Sequence, residues 1–279
     1  MMAATQTTMI KTTETQARLR IAGRDHGSVA ALLFDKDGTL LEFNQLWLSW
    51  LQHLMHHLHK TASPALELDE SLILQRLGVN ASITTCDPAG PLAIGSMDDV
   101  TALLGFGLYE QGVAWNDALH LVRNSADHAE SLLHARDIVA LPGLHDLMAQ
   151  AASLSLPLAV VTSDTEANAR HHLRALGLSD AFAVVLGHDS TERGKPFPDP
   201  AWVACTRMGV SPESVALFGD SNGDMQMARR AKLKAAIGLC PNRIDRNHLA
   251  DADQVIADFT DVVLTQEHPD QSRKGAIER

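Results

Sequence analysis

An α/β fold is predicted, with a doubly wound, mostly parallel sheet and one inserted helical domain. Three observations predict it: short apolar runs recur without alternation, helical periodicities fall between them, and one long interval carries helices only. Val29–Phe34 is the first run. An apolar run this short, with no polar face, suits a strand covered on both sides in a parallel sheet. The same signature returns at Leu158–Val161, Ala183–Leu186, Val215–Phe218, Ala235–Ile237 and Val255–Ala257. Between the runs, Leu144, Leu147, Met148 and Ala151 keep a helical spacing after a Pro-Gly pair. Ala169, Leu173 and Leu176 line a second helix, and Trp202, Cys205 and Met208 a third. Strands alternating with such helices make βαβ units.

The interval from Glu42 to about Val139 lacks a buried-strand run. Helices are predicted over Leu46–His59, Leu66–Leu77, Met97–Leu104 and Asn116–His134, with Ser96 and Asp99 as a capping box for the third. Residues 80–95 contain Pro88, Gly90, Pro91 and Gly95 and read as a loop. The expected organisation is a loose leader over 1–27, an α/β core over 28–41 and 139–265, a helical cap over 42–138 and a tail over 266–279. A short edge strand over Ala17–Ala22 is the alternative for part of the leader.

Apolar residues make up 45% and charged residues 20%, the balance of an ordinary soluble protein. No stretch has the length of apolar sequence that a membrane helix needs, and Met1–Gln16 lacks the apolar core of a secretory signal. The net charge of −11, without a dense basic block, argues against nucleic acid as the main partner. It also requires an anionic substrate to be attracted locally, by a metal or a few placed cations. Cys86, Cys205 and Cys240 are widely spaced and form no CxxC pair, so a disulfide framework is not expected and a reducing cytoplasm is the expected compartment. The oligomeric state is not legible. His53, His56, His57 and His59 do not share one helix face and are not read as a zinc site, and His171 and His172 read as helix surface.

In open α/β sheets ligands bind beyond the carboxyl ends of the strands, so the polar residues that follow the apolar runs carry the chemistry. After the first run stands Asp35-Lys36-Asp37-Gly38-Thr39-Leu40, after the second Thr162-Ser163-Asp164, after the third Gly194-Lys195-Pro196, and after the fourth Gly219-Asp220-Ser221-Asn222-Gly223-Asp224. Crowded carboxylates need a cation, and acids with few His or Cys near them point to a hard ion, magnesium where phosphate is handled. A carboxylate can attack phosphorus, and a second one two residues along can protonate the leaving oxygen and later deprotonate water.

With these four motifs in this order, the chain resembles the haloacid dehalogenase-like hydrolases, in particular their phosphoglycolate-phosphatase-like branch, over residues 29–258. The resemblance implies a Rossmann-like core with a mobile cap, Mg2+ as cofactor and a small phosphorylated metabolite as substrate. It implies Asp35 as nucleophile and metal ligand. Asp37 becomes the general acid and base, with its backbone carbonyl on the metal. Thr162 and Lys195 would hold the phosphoryl group, Ser163 would add a backbone contact, and Lys195 would also orient Asp35. Asp220 would ligate the metal, and Asp224 would support the site from behind. Relatives that keep a stable aspartyl-phosphate, such as P-type ATPases, carry Thr where Asp37 stands, so Asp37 favours phosphate-ester turnover. One departure is visible: the helix after Asp224 usually ends in Ala-Gly, and here it ends in Ala231-Lys232.

The interval from Asp37 to Thr162 is several times that from Thr162 to Lys195, which places the cap at the first insertion point. Phe43, Asn44 and Trp47 are the cap residues nearest the nucleophile and are the expected substrate contacts, with packing of the hinge as the alternative. The expected activity is hydrolysis of a phosphate monoester. A phosphomutase resembling β-phosphoglucomutase, and a non-catalytic binding protein on the same scaffold, are the competing readings.

Overall fold

The computed structural model describes residues 16–62, 68–241 and 246–267. Three strands open it: β1 (Ala17–Ile21), β2 (Arg24–Val29) and β3 (Ala31–Phe34). Ala22 and Gly23, both at positive φ, turn β1 into β2 as a two-residue hairpin. A π-turn over Asn44–Leu48 leads into α1 (Ser49–Thr61), followed by α2 (Glu70–Arg76), α3 (Pro91–Ile94), α4 (Met97–Glu110) and α5 (Trp115–Leu132). The chain then alternates: α6 (Leu144–Ser153), β4 (Leu158–Val161), α7 (Glu166–Ala175), β5 (Val184–Leu186) and α8 (Asp199–Met208). It ends with β6 (Val215–Gly219), α9 (Asn222–Ala231), β7 (Ala235–Leu239), β8 (Gln254–Ile256) and β9 (Val262–Gln266).

The main sheet has the order β5-β4-β3-β6-β7-β8, and all neighbours run parallel. Successive residues of each central strand face opposite layers. Leu32, Phe34, Val160 and Phe218 pack with Leu147 and Leu173 on one face, in a core that continues into the cap through Trp50, Leu54 and Val122. Leu33, Ala159, Val161 and Leu217 pack with Cys205, Met225 and Ala228 on the other. Each fully buried Leu or Phe contributes about 1.5–3 kcal/mol, so it is the two-sided burial that holds these short strands in the sheet. The apolar runs were therefore strands, as their composition requires.

Three expectations need correction. The leader does not stay loose as far as residue 27: Ala17–Ile21 and Arg24–Val29 pair with each other, and β1 pairs antiparallel with β9 to give a separate sheet of order β2-β1-β9. Of the leader, residues 1–15 lie outside the described residues, as do the tail from 268 onward and the predicted start of a helix at Leu66. Within the predicted loop 80–95, Pro91–Ile94 forms a helical turn, because Pro91 at its first position loses no hydrogen bond there. Finally, α4 runs past Leu104 to Glu110, with the Ser96–Asp99 capping box in place.

The cap hangs from two adjacent strands of chain. Leu41 bridges Ala140, Glu42 N–H donates to Val139 carbonyl and Leu141 N–H to Leu40 carbonyl. At the end of α9, Lys232 closes the helix in the left-handed conformation (φ 59°, ψ 41°), at the position where the resemblance implies Gly. A Cβ in that conformation is strained, so Lys232→Gly is expected to stabilise the protein by about 0.5–1 kcal/mol, less the chain entropy that Gly adds to the unfolded state. A rise of a few degrees in melting temperature is the expected reading, and a fall would refute the strain.

Candidate active site

Four chain segments converge at the carboxyl ends of β3, β4, β5 and β6. Asp35 leaves β3 with its N–H bonded to the Phe218 carbonyl of β6 (2.8 Å). Thr162 leaves β4 with its N–H bonded to the Leu186 carbonyl of β5 (3.0 Å). Lys195 stands on the loop between β5 and α8, and Asp220 directly follows β6. Parallel pairing of neighbouring strands thus brings residues far apart in sequence to one edge. They line a crevice of about 300 Å³ with Asp37, Ser163, Asn222 and Gln226, roofed by Ala93 and Ile94 of α3.

The turn after β3 needs Gly38. Its φ is +74°, and a Cβ there would overlap the Asp220 carboxylate. A residue without a side chain lets the turn lie against that acid. Lys195 Nζ is the electrostatic centre: it donates to Asp35 Oδ1 at 2.5 Å and lies 2.9 Å from Asp224 Oδ1. Asp224 is fully buried and also closes the start of α9, accepting from Ser221 N–H (3.2 Å) and Ser221 Oγ–H (2.6 Å). One carboxylate therefore serves as both helix cap and counter-charge to the lysine.

Burial, with Asp224 and Asp37 nearby, pushes the Asp35 carboxyl up to about 7 despite the Lys195 ammonium. Burial and the charges of Asp35 and Asp224 hold Asp220 well above the usual carboxylate range. Burial also pulls Asp37 upward, but Lys36 and hydrogen bonds from Lys36 and Trp47 outweigh it and hold that carboxyl low. Lys195 is raised: burial opposes its charge, but Asp224 and Asp35 more than offset that cost. Oxygens of Asp35, Asp220 and Asp224 lie within 4.8 Å of one another, and among the described residues no histidine or cysteine joins such a group. Three carboxylates, two of them disfavoured as anions, form a donor set fitted to a hard divalent cation.

The structure brings Asp35, Asp37, Thr162, Ser163, Lys195 and Asp220 to one crevice. Asp224 stands in the acidic group itself, closer than a supporting role required. Phe43 and Trp47 line a narrow cleft beside Asp37 together with Ser163 and Asp164, and Trp47 Nε1–H donates to Asp37 Oδ1 (2.8 Å). Asn44 lines a neighbouring cavity with Gly38 and Asp220. Sequence reasoning missed Ala93 and Ile94, because α3 lay inside an apparent loop. It also missed Lys36, Asp164 and His172. His172 was expected on a helix surface but is only 1% exposed, facing Lys36 across the core.

A parallel sheet whose strand ends collect carboxylates, a hydroxyl and one lysine around a crevice defines a hydrolytic α/β enzyme. The family model of the haloacid dehalogenase-like hydrolases matches residues 29–232, and the chain belongs to that family as an enzyme of the phosphatase kind. The phosphoglycolate phosphatase of Shigella boydii serotype 4 is 25% identical over 193 residues, covering 60% of this chain and 77% of the relative. A predicted phosphoglycolate phosphatase structure from Haemophilus somnus superposes with a TM-score of 0.61 at 22% identity, over 83% of this chain and 95% of its own. The β-phosphoglucomutase structure from Clostridium difficile gives 0.57 at 18% identity, over 82% and 91%. At these identities the structural likenesses speak for the fold. Among the described residues, no helix is long and apolar enough to cross a membrane.

Proposed function

We propose that the chain is a magnesium-dependent phosphatase that hydrolyses a small phosphorylated metabolite through a phosphoaspartate on Asp35. The observation that carries the reading is the Lys195 bridge between Asp35 and Asp224 beside Asp220, since it gathers nucleophile, cation and acidic donors at one point. Asp35, Asp220 and the Asp37 backbone carbonyl would hold the Mg2+, with Asp224 beside them. When bound, the ion offsets negative charge on the transferring group and on the carboxylates.

The chain's own groups then account for each step. Asp35 Oδ attacks phosphorus while the bond from phosphorus to the leaving oxygen breaks, and the Asp37 carboxyl gives its proton to that oxygen. The Thr162 hydroxyl, the Ser163 backbone and the Lys195 ammonium hold the phosphoryl oxygens. Water next attacks phosphorus and yields its proton to Asp37, which frees Asp35 and inorganic phosphate. Lys195 is the sole cation among the described residues lining the crevice, which suits one phosphoryl group. The roof of Ala93 and Ile94 suits small substrates over phosphoproteins. The phosphoglycolate phosphatases among its relatives favour hydrolysis over phosphoryl return to substrate. Cys86, Cys205 and Cys240 are widely spaced in the sequence and form no CxxC pair, and on that pattern the cytoplasm is the compartment we assign.

A panel of small phosphate monoesters, assayed for phosphate release with Mg2+ and with excess EDTA, tests the reading. Release is expected only with Mg2+, and full activity in EDTA would overturn the metal assignment. Calcium is expected to substitute poorly, since it prefers looser, higher coordination. Stability gives a second readout. A carboxyl raised in the folded state holds its proton longer there than in the unfolded chain. In metal-free protein Asp35 should therefore cost stability as pH climbs from the ordinary carboxylate range toward about 7, and the cost should then level off. Mg2+ is expected to reduce that loss and to add about 2.7 kcal/mol at a hundred times its dissociation constant. An unchanged melting temperature with saturating Mg2+ at pH 8 would count against the site.

A further inference from the structure

Lys36 lies between the nucleophile Asp35 and Asp37, yet it is not among the residues lining the crevice and is 0% exposed. Its ammonium is surrounded by three acceptors: Asp37 Oδ1 at 2.7 Å, His172 Nδ1 at 2.9 Å and Asp164 Oδ2 at 3.1 Å. A lysine has N–H donors and no acceptor: two of them donate to Asp37 and His172, and Asp164 Oδ2 faces the ammonium as an ion pair. His172 must then accept at Nδ1 and carry its hydrogen on Nε2. Burial and the nearby Lys36 push that imidazole down to about 3, which agrees with a neutral ring. Its Nε2 has no hydrogen-bond partner and faces Glu130 Oε1 of the cap helix α5 at 4.0 Å.

On the other side, Asp37 Oδ1 receives both Lys36 Nζ–H and Trp47 Nε1–H (2.8 Å). Two donors fill the two lone pairs of that oxygen. Oδ2 is left as the oxygen able to carry a proton. Asp164 is itself fixed, since its Oδ1 accepts from Thr165 N–H (2.7 Å). Burying a lysine among three polar groups is costly unless its charge is met, and here two hydrogen bonds and one ion pair meet it.

We propose that Lys36 is a positioning residue: with Asp164 and His172 behind it, it locks the Asp37 carboxyl so that Oδ2 faces the crevice for proton transfer. The proposal rests on the reading of Asp37 as general acid and base. Lys36 also holds that carboxyl low, so its loss eases protonation of Asp37; the proposal predicts that the lost orientation outweighs this, damaging proton delivery and leaving nucleophilic attack largely intact.

Lys36→Met keeps the length of the side chain and removes the charge. A general acid contributes about a hundred- to ten-thousand-fold, and most where the leaving group is poor. Rapid-quench measurement of the first turnover should therefore show phosphoenzyme formation from an alkyl phosphate falling at least about tenfold, with p-nitrophenyl phosphate within about threefold and KM little changed. A purely structural role would lower both substrates alike, and that result, or no change in either, would overturn the proposal. Because Lys36→Met leaves Asp164 buried without its cation, the double variant Lys36→Met/Asp164→Asn is measured beside it. Asn keeps the acceptor for Thr165 N–H, and the same split between substrates is expected. Asp37→Ala is the reference: if it shows no split, the acid assignment fails, and if it shows one that Lys36→Met lacks, the positioning role alone fails. Nitrogen-15 spectra of the wild-type imidazoles, read without any substrate, should show His172 neutral with hydrogen on Nε2. A ring protonated at Nδ1 would overturn the geometry independently of activity.

Discussion

Asp35→Asn is expected to abolish phosphate release, a loss of about 10⁴–10⁶-fold, the scale seen when the nucleophile is removed from a catalytic group that works as a unit. The amide matches the carboxylate in volume but cannot attack phosphorus. The fold should survive. Asp35 sits beside Asp220 and Asp224, and its anion is disfavoured by burial, so removing that charge relieves repulsion while Lys195 keeps Asp224 as partner. A melting temperature equal to or above wild type, with no phosphate released, is the expected pair of results. Normal release by the variant would end the phosphoaspartate mechanism.

Asp37→Ala is expected to slow turnover by about a hundred- to ten-thousand-fold while Mg2+ affinity changes little. The backbone carbonyl assigned to the metal survives the substitution, and the side chain that carries the proton does not. An alkyl phosphate should suffer more than p-nitrophenyl phosphate, whose leaving group departs without a proton. Because Asp37 also activates the water of the second half-reaction, the variant should accumulate phosphoenzyme when the leaving group is good. Steady-state rates would mix the two effects, so the first turnover must be followed by rapid quench. Equal slowing of both substrates in the formation step would show that Asp37 is not the acid.

What could be read in the sequence follows a physical boundary. The runs at Val29–Phe34, Leu158–Val161 and Val215–Phe218 announce themselves because a strand covered on both faces has no polar positions. The acids at their ends could be placed together because parallel strands deliver their carboxyl ends to one edge. β1 was legible only as an alternative edge strand over Ala17–Ala22, because its buried positions alternate with Arg18 and Arg20; its central place was not, because its second partner, β9, lies at the opposite end of the described chain. α3 escaped because Pro and Gly signal loops, although Pro at a helix start is well tolerated. The surroundings of Lys36 were invisible for a different reason. Nothing local distinguishes a lysine that will meet His172 and Asp164 inside the protein from one that will face water, and only the folded chain brings the three together.

The pairing of β1 with β9 also bears on how the molecule is made. Ala17 faces Gln266 and Ile21 faces Val262, so this ladder joins the first described strand to the last. Closing so long a loop costs entropy that grows only with the logarithm of its length, but it delays the contact, because everything between must first be in place. During synthesis the β1 edge of the β1–β2 hairpin leaves the ribosome unpaired and stays so until β9 emerges. The main sheet can assemble before then, since its last strand, β8, precedes β9. Completion of the small sheet is thus a late event, and a nascent chain halted before Val262 would carry a built catalytic crevice beside an open strand edge.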